Sequence, residues 1–145
     1  MLSLSRYSLL AILCLFIIGP LYGQRPHSTC QGMLYEHYNQ VDYTLRVSSV
    51  SGIAKDIEGF EVRGACAGIF TENDKKLVAA KGTTLDGHFE IDGLPNGRYR
   101  LVVSGEGWCA ANALIILKNK SRRGKGLVAV MRTRGIDDCS WIELR

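Results

Sequence analysis

The sequence lacks any apolar run long enough to cross a membrane. The longest one, Leu9–Gly19, follows a single positive charge at Arg6. It is about a dozen residues long, whereas a membrane-spanning helix needs roughly 20. With Pro20 and the small residue Gly23 after it, this pattern is typical of a secretory signal peptide, so residues 1–23 are predicted to be removed. The alternative is an uncleaved membrane anchor.

The sequence also lacks a C-x-x-C pair. Ligands of a four-thiolate zinc site normally come in such pairs, so this kind of site is disfavoured. One of the five cysteines, Cys14, lies in the predicted signal. The disulfide candidates that remain are Cys30, Cys66, Cys109 and Cys139. An even number in an exported chain predicts two disulfides. Of the three ways to pair them, we favour Cys66 with Cys109 and Cys30 with Cys139.

Motifs of several enzyme classes are missing as well. There is no H-E-x-x-H or G-x-S-x-G, His27, His37 and His88 are isolated, and no cysteine has an activating neighbour. The sequence therefore predicts no catalytic residue, no metal site and no cofactor. The formal net charge of +4 falls to +3 when the one charge of Arg6 is removed, which is too mild to indicate nucleic acid as a partner.

A strict period of two is present between Thr83 and Val103. Apolar residues alternate with polar ones in two runs, with Phe89 and Ile91 in the first and Tyr99, Leu101 and Val103 in the second. Such alternation predicts strands with one buried face. Turn signals separate the runs at Asp86-Gly87, Asp92-Gly93 and Pro95-Asn96-Gly97. Calcium binding by Asp86, Asp92, Asp137 and Asp138 is the alternative, but Asp before Gly is ordinary turn chemistry.

Further strands are predicted on both sides of this meander. They lie within Val41–Val47, Ala65–Ile69, Leu77–Ala80, Ala113–Leu117 and Leu127–Met131. Small residues around Gly68 indicate close approach by another part of the backbone or sheet. About seven short strands, with turn signals every eight to twelve residues and no helical segment after the signal, predict an all-β sandwich.

Part of this pattern resembles a known family. The relevant residues are Val50-Ser51-Gly52, Asp56, Gly59, Val62, Gly64-Ala65, Ile69, Thr84, Asp86-Gly87, Phe89, Ile91, Gly93-Leu94-Pro95, Gly97, Tyr99, Leu101, Val103 and Gly107-Trp108. They resemble the carboxypeptidase regulatory-like domain over about Thr44–Arg132, in its single-domain secreted bacterial type. The resemblance implies a transthyretin-like (prealbumin-like) fold, a seven-stranded antiparallel Greek-key β-sandwich.

Together, the signal-like N-terminus and this resemblance predict four segments. Residues 1–23 are predicted to be the signal peptide, 24–43 an N-terminal extension that lies on the domain and is held by the partner of Cys30, 44–132 the β-sandwich domain, and 133–145 a C-terminal tail.

The resemblance also implies a modest function. Domains of this family serve as accessory modules beside peptidases, as stalks, and as relatives of starch-binding domains. We therefore expect a non-catalytic, secreted or periplasmic module with a binding or structural role in the cell envelope. Its expected partner is an envelope polysaccharide or another envelope protein, with no nucleic acid and no membrane span after signal cleavage. The alternatives are a carbohydrate-binding module and, more distantly, a transthyretin-like hydrolase, although Ile142–Arg145 replaces the C-terminal Y-R-G-S of those enzymes.

Two groups of residues are candidate binding sites. The basic loop, as we name this set, comprises Lys118, Lys120, Arg122, Arg123 and Lys125. It could hold an anionic polymer, but we favour a solvated hairpin tip, because charge runs alone are weak signals. Nucleic acid is disfavoured further, because no aromatic residue is interleaved to stack on a base. Trp141, with Trp108 and the tyrosines at 35, 38 and 43, could form an aromatic platform for sugars. Trp108 is instead expected to cap the core at a strand end.

Overall fold

A computed structural model describes residues 30, 32–34, 41, 43–119, 126–134 and 140–145. Within these ranges the chain forms nine β-strands, which confirms the predicted all-β class. The strands are β1 (Thr44–Val47), β2 (Val50–Asp56), β3 (Cys66–Thr71), β4 (Leu77–Gly82), β5 (His88–Ile91), β6 (Gly97–Ser104), β7 (Ala111–Leu117), β8 (Leu127–Met131) and β9 (Trp141–Leu144). No helix in the same ranges combines the length and apolarity that crossing a membrane requires.

The strands form two sheets. Sheet A has the order β1-β7-β6-β3-β4, and sheet B has the order β5-β2-β8-β9. β1 runs parallel to β7 and β2 parallel to β8, while the other neighbouring pairs are antiparallel. The described part of the chain thus has nine strands where seven were predicted, and its sheets are mixed where antiparallel ones were expected. Alternation along a strand reports its buried face but not the direction of its partner.

One hydrophobic core lies between the two sheets. Sheet A contributes residues such as Ile69 and Leu101, and sheet B contributes Phe89 and Ala129. The five apolar residues that alternate between Thr83 and Val103 are all buried in this core, as predicted. The sheets therefore form a sandwich whose inner faces could be read from the sequence.

The outer face of sheet A is covered by a short piece of the N-terminal extension. Cys30 and residues 32–34 are helical, although no helix was predicted after the signal. Cys30 forms a disulfide with Cys66 of β3, across a sequence separation of 36 residues. The favoured pairing of Cys66 with Cys109 and of Cys30 with Cys139 is therefore wrong, because each cysteine can form only one disulfide. Sequence spacing carried no information on which cysteine the extension would reach.

Leu34 anchors this piece to the sheet. It is 0% exposed and forms a second apolar cluster with Phe70 of β3 and Val102 of β6. A Cβ atom on Gly68 would lie 2.6 Å from Leu34 Cδ1, so the absence of a side chain at Gly68 admits Leu34. The close approach predicted there, by backbone or by a sheet, is instead made by a side chain of the extension. Burial of one leucine stabilises the fold by about 2–3 kcal/mol.

The predicted turn before β5 is formed by Thr84–Gly87. The Gly87 N–H donates to Thr84 O over 3.0 Å, and Gly87 has a φ of +74°, which favours glycine. The Thr84 hydroxyl donates to Asp86 Oδ1 over 2.8 Å. This hydrogen bond is the main reason why the pKa of Asp86 is lowered from its ordinary value. Asp86 therefore does the turn chemistry that was preferred over calcium binding.

Candidate ligand-binding cleft

An open cleft of about 400 Å³ lies against sheet B. Strands β5, β2 and β8 supply most of its lining, β4 contributes Lys81 and Gly82, and Arg145 follows directly after β9. Most of the lining side chains are apolar or small. Pockets that bind small molecules usually measure about 300–1,000 Å³, so this cleft is large enough for one small ligand.

Alternation along β2 decides which side chains reach the cleft. Ala54 is buried in the core, so Ser51 and Ile53 lie on the outer face of sheet B, separated by Gly52. Ile53 is paired with Val128 of β8. Val128 is only 5% exposed, although its position in the strand places it on this outer face. Ile53 and Val128 therefore form a recessed apolar wall.

Four ionisable side chains among the described residues line the cleft. They are Lys81, His88, Glu90 and Arg145. His88 Nδ1 lies 3.3 Å from Asp86 Oδ2. The other three form no ion pair with any residue that the structure describes. Two unpaired cations and one unpaired carboxylate thus border an apolar wall.

A second recess, of about 220 Å³, lies at the end of the sandwich where β2 and β8 finish. Ile57, Trp108 and Met131 provide its apolar lining. Trp108 lies in the connection between β6 and β7, is bridged to Thr133, and packs against the main core. This confirms that Trp108 caps the core at a strand end.

Trp141 belongs to β9, within the stretch that was assigned to a C-terminal tail. The Arg132 guanidinium carbon lies 5.4 Å from the centre of its ring, a cation–π contact. The indole Nε1 donates to Glu143 Oε2 over 3.2 Å. One face of the Trp141 ring is therefore occupied by Arg132, so a sugar could stack only on the opposite face.

Ser140 ties the start of β9 to the connection between β6 and β7. Its Oγ accepts a hydrogen bond from Arg132 N and donates to Cys109 O, each over 2.8 Å. The Cys109 N–H donates to Arg132 O over 2.7 Å. The backbone of Cys109 is thus held on both sides, while its half-buried thiol forms no disulfide with a described residue.

Several candidate residues lie outside the described ranges. Of the basic loop, only Lys118 is described, and it is exposed. Cys139 and the tyrosines at 35 and 38 also lie outside, as do Asp137 and Asp138. In the ranges that can be searched, no group of three or more His, Cys, Asp or Glu side chains is arranged to hold a metal ion.

The cleft was not predicted from the sequence. Its apolar wall joins Ile53 of β2 to Val128 of β8, and its cations come from β4 and the end of β9. Nothing in the local pattern of any one strand indicates that these residues meet. The available signal was Ile53, an apolar residue on the face of β2 that alternation assigns to solvent.

Comparison with known proteins adds no relative. No protein-family model matches the chain, and no curated protein matches it. The likeness to carboxypeptidase regulatory-like domains therefore depends on the residues quoted for it.

Proposed function

We propose that the protein is a non-catalytic, secreted or periplasmic β-sandwich of the transthyretin-like Greek-key type, in which the cleft against sheet B binds a component of the cell envelope. The observation that carries this proposal is the open cleft, with its apolar wall of Ile53 and Val128 and its unpaired charges at the rim. Unpaired polar groups beside an apolar surface are what a ligand site offers.

The shape of the cleft supports binding over catalysis. Catalysis needs polar groups that converge on one reacting atom and a site that excludes water. This cleft is open, and its charged residues are spread over strands β4 and β5 and the end of β9. The distant hydrolase alternative gains no support from such a lining.

The disulfide supports the proposed compartment. Disulfides form and persist in oxidising environments and are rare in the cytosol. The bond between Cys30 and Cys66 joins the extension to the sandwich, and the signal-like N-terminus provides a route of export. A secreted or periplasmic location accounts for both features.

Co-sedimentation with washed cell envelopes tests the proposal. We expect the mature protein, residues 24–145, to pellet with envelopes, and Ser51→Trp to prevent this because the indole fills the cleft. Lys55→Trp is the matched control, since Lys55 lies on the same face of β2 but outside the cleft. Equal pelleting of Ser51→Trp and wild type would rule out the cleft.

Two further arms of this experiment separate the other candidate sites. Binding that vanishes in high salt and in a variant with all five basic-loop residues changed to Gln would assign the basic loop. Binding that survives both changes, and also survives Ser51→Trp, would favour the carbohydrate-binding alternative with Trp141. If the wild type does not pellet at all, envelope binding is ruled out and a structural role is the remaining alternative.

One observation favours a protein of the envelope as the partner. Ile57, Phe60 and Leu85 are exposed on two neighbouring turns, and Leu85 is 81% exposed. The turns lie side by side because the backbone of Ala54 bonds to Gly87 O and Val62 N, each over 2.9 Å. Clustered exposed apolar residues often mark an interface. If they do so here, protease treatment of the envelopes and Leu85→Ser should each abolish pelleting, whereas Val78→Ser should not.

A further inference from the structure

Two cations at the cleft are free to bind a ligand. Lys81 and Arg145 both line it, and neither forms an ion pair within the ranges that the structure covers. Both side chains are exposed to solvent and can be reached by a ligand. An anion that enters the cleft would thus gain charge-assisted hydrogen bonds without breaking an existing pair.

The two cations lie at opposite ends of the cleft. Lys81 lies on β4, the edge strand of sheet A, where it is paired with Ala67 of β3. β4 is in contact with β5, the edge strand of sheet B. Arg145 lies beyond β9 on the far side of sheet B, where its N–H donates to Gly126 O over 2.9 Å. Glu90 and Arg145 are three strands apart, and a spacing of about 4.8 Å per strand places their backbones about 14 Å apart.

This separation makes the two ends chemically different. Glu90 lies on β5, which is in contact with β4, and it lines the cleft together with Lys81, so charges of both signs border that end. At physiological salt, charges are screened over about 8 Å, so Glu90 has little effect on Arg145. The guanidinium of Arg145 therefore has no carboxylate of the described cleft lining beside it, and the apolar wall of Ile53 and Val128 lies between the two ends.

We infer that the cleft binds a small amphipathic carboxylate, with its carboxylate on Arg145 and its apolar body along Ile53 and Val128. This inference rests on the proposed function and names the class of ligand. The planar guanidinium can bind both carboxylate oxygens at once. At the other end of the ligand, Lys81 can donate a hydrogen bond to a polar group and Glu90 can accept one.

A neutral sugar fits these residues less well. Sugars are usually held by an exposed aromatic ring, whereas Phe89, the aromatic residue of the described cleft lining, points inward and belongs to the core between the sheets. Trp141 is outside the cleft lining. A metal cation fits less well too, because the described part of the lining offers one carboxylate, Glu90, beside two positive charges.

Amide chemical shifts measured by NMR during ligand titration test the inference. The protein is purified from the exported fraction and titrated with octanoate, with 1-octanol, which has the same chain without the charge, and with maltose. We expect octanoate to shift the amides of Ser51, Ile53 and Val128 in a saturable way. Octanol should bind more weakly and maltose should leave these amides unchanged.

Matched variants assign the contacts. Arg145→Gln should weaken octanoate binding about two- to fivefold, the range expected for one exposed charge pair, and Lys81→Gln should weaken it less. Arg63→Gln and Lys76→Gln remove exposed cations outside the cleft and should have no effect. Ile53→Thr keeps a β-branched residue but removes apolar surface, and should weaken octanoate and octanol alike.

Each outcome contradicts a different part of the inference. Equal affinity for octanol and octanoate, or no effect of Arg145→Gln, would overturn the anionic part of the inference. Maltose shifts at the cleft without octanoate shifts would replace the ligand class and leave the proposed function intact. If no ligand shifts these amides, the inference fails, while co-sedimentation with envelopes still decides the proposed function independently.

Discussion

Tyr43 shows how a single hydroxyl can join the two sheets. Its OH donates to Asn112 O of β7 over 2.7 Å and accepts from Ile142 N of β9 over 3.0 Å. β7 belongs to sheet A and β9 to sheet B. We expect Tyr43→Phe to lower the free energy of unfolding by about 1–2 kcal/mol, because it leaves a backbone donor and a backbone acceptor without this partner. Urea denaturation measures the change.

The same residue gives the stability a dependence on pH. Burial raises the pKa of Tyr43 above its ordinary value of 10.0, against the opposing effect of the hydrogen bond from Ile142. A raised folded-state pKa means that the stabilisation is complete below the unfolded-state value and is lost as pH rises through the folded-state value. The wild type should therefore lose stability above about pH 10 more steeply than Tyr43→Phe. Parallel curves for the two proteins would contradict this.

Gly52 and Gly68 differ in what an added methyl group would meet. At Gly52, a Cβ would lie 2.3 Å from the backbone oxygen of Leu127, which cannot move without disturbing the β2–β8 pair. At Gly68, it would meet the end of the flexible Leu34 side chain. We expect Gly52→Ala to cost roughly 3 kcal/mol and Gly68→Ala about 1 kcal/mol.

Gly126→Ala is the control for these two substitutions. Nothing lies within 4 Å of a Cβ at Gly126, so its stability should stay within about 0.5 kcal/mol of the wild type. Thermal or urea unfolding of the three variants gives the order. If Gly68→Ala proves as damaging as Gly52→Ala, the segment around Leu34 must be more rigid than expected for one held by a disulfide and one buried leucine.

At the scale of elements, the covering of sheet A combines a covalent link with an apolar anchor. In the chain-entropy model, closing a loop of this length stabilises by about 4 kcal/mol. Leu34 contributes burial on top of that. We expect Leu34→Ala to cost about 2–3 kcal/mol while the disulfide is intact, and much less in a Cys30→Ser/Cys66→Ser background, where the segment can detach.

A double-mutant cycle measured by urea denaturation tests this coupling. The expected interaction energy between Leu34 and the disulfide is at least about 1 kcal/mol. Met33→Ala is the matched control, because Met33 is the neighbouring residue and is half-buried. Additive effects would show instead that the segment docks on sheet A without its covalent link.

Which elements could be predicted depends on how regular their alternation is. β5 and β6 carry large apolar residues at every second position, and β8 is a continuous apolar run. The sequence places all three correctly. In β2, Gly52 and Ala54 take inward positions without a large side chain, so its pattern is weak. The four-residue strand β9 lies in the segment that was assigned to a tail. Its position in sheet B is fixed by antiparallel pairing with β8.

The candidate site was harder to predict than the fold, for a related reason. Ile53 meets Val128 because β2 and β8 pair in parallel, and alternation does not reveal a parallel partner. The disulfide is similar, since Cys30 reaches Cys66 on the outer face of sheet A, and alternation does not reveal which cysteine lies there. The positions of the basic loop beyond Lys118 lie outside the described residues, so that candidate stays a prediction.

For the whole molecule, the predicted signal, the disulfides and the compartment form one hypothesis. If residues 1–23 direct export and are removed, four cysteines remain. Cys30 and Cys66 are bonded to each other, so a second disulfide in the mature chain can only join Cys109 to Cys139. We expect the exported protein, denatured without reduction, to contain no free thiol. Two free thiols would mean that Cys30–Cys66 is its only disulfide.

Expression of the chain with and without residues 1–23 in a bacterial host tests the role of the compartment. The exported form should begin at Gln24 by mass spectrometry and carry the Cys30–Cys66 bond, whereas the cytosolic form should be reduced. Since that bond alone is worth about 4 kcal/mol in the chain-entropy model, the exported form should be the more stable one under non-reducing conditions. A Cys30→Ser/Cys66→Ser variant should lose most of this difference, and what persists measures the contribution of Cys109 and Cys139. Equal stability of the two wild-type forms would contradict this hypothesis. It would show that the Cys30–Cys66 bond adds no stability on export and is not what holds the extension to sheet A.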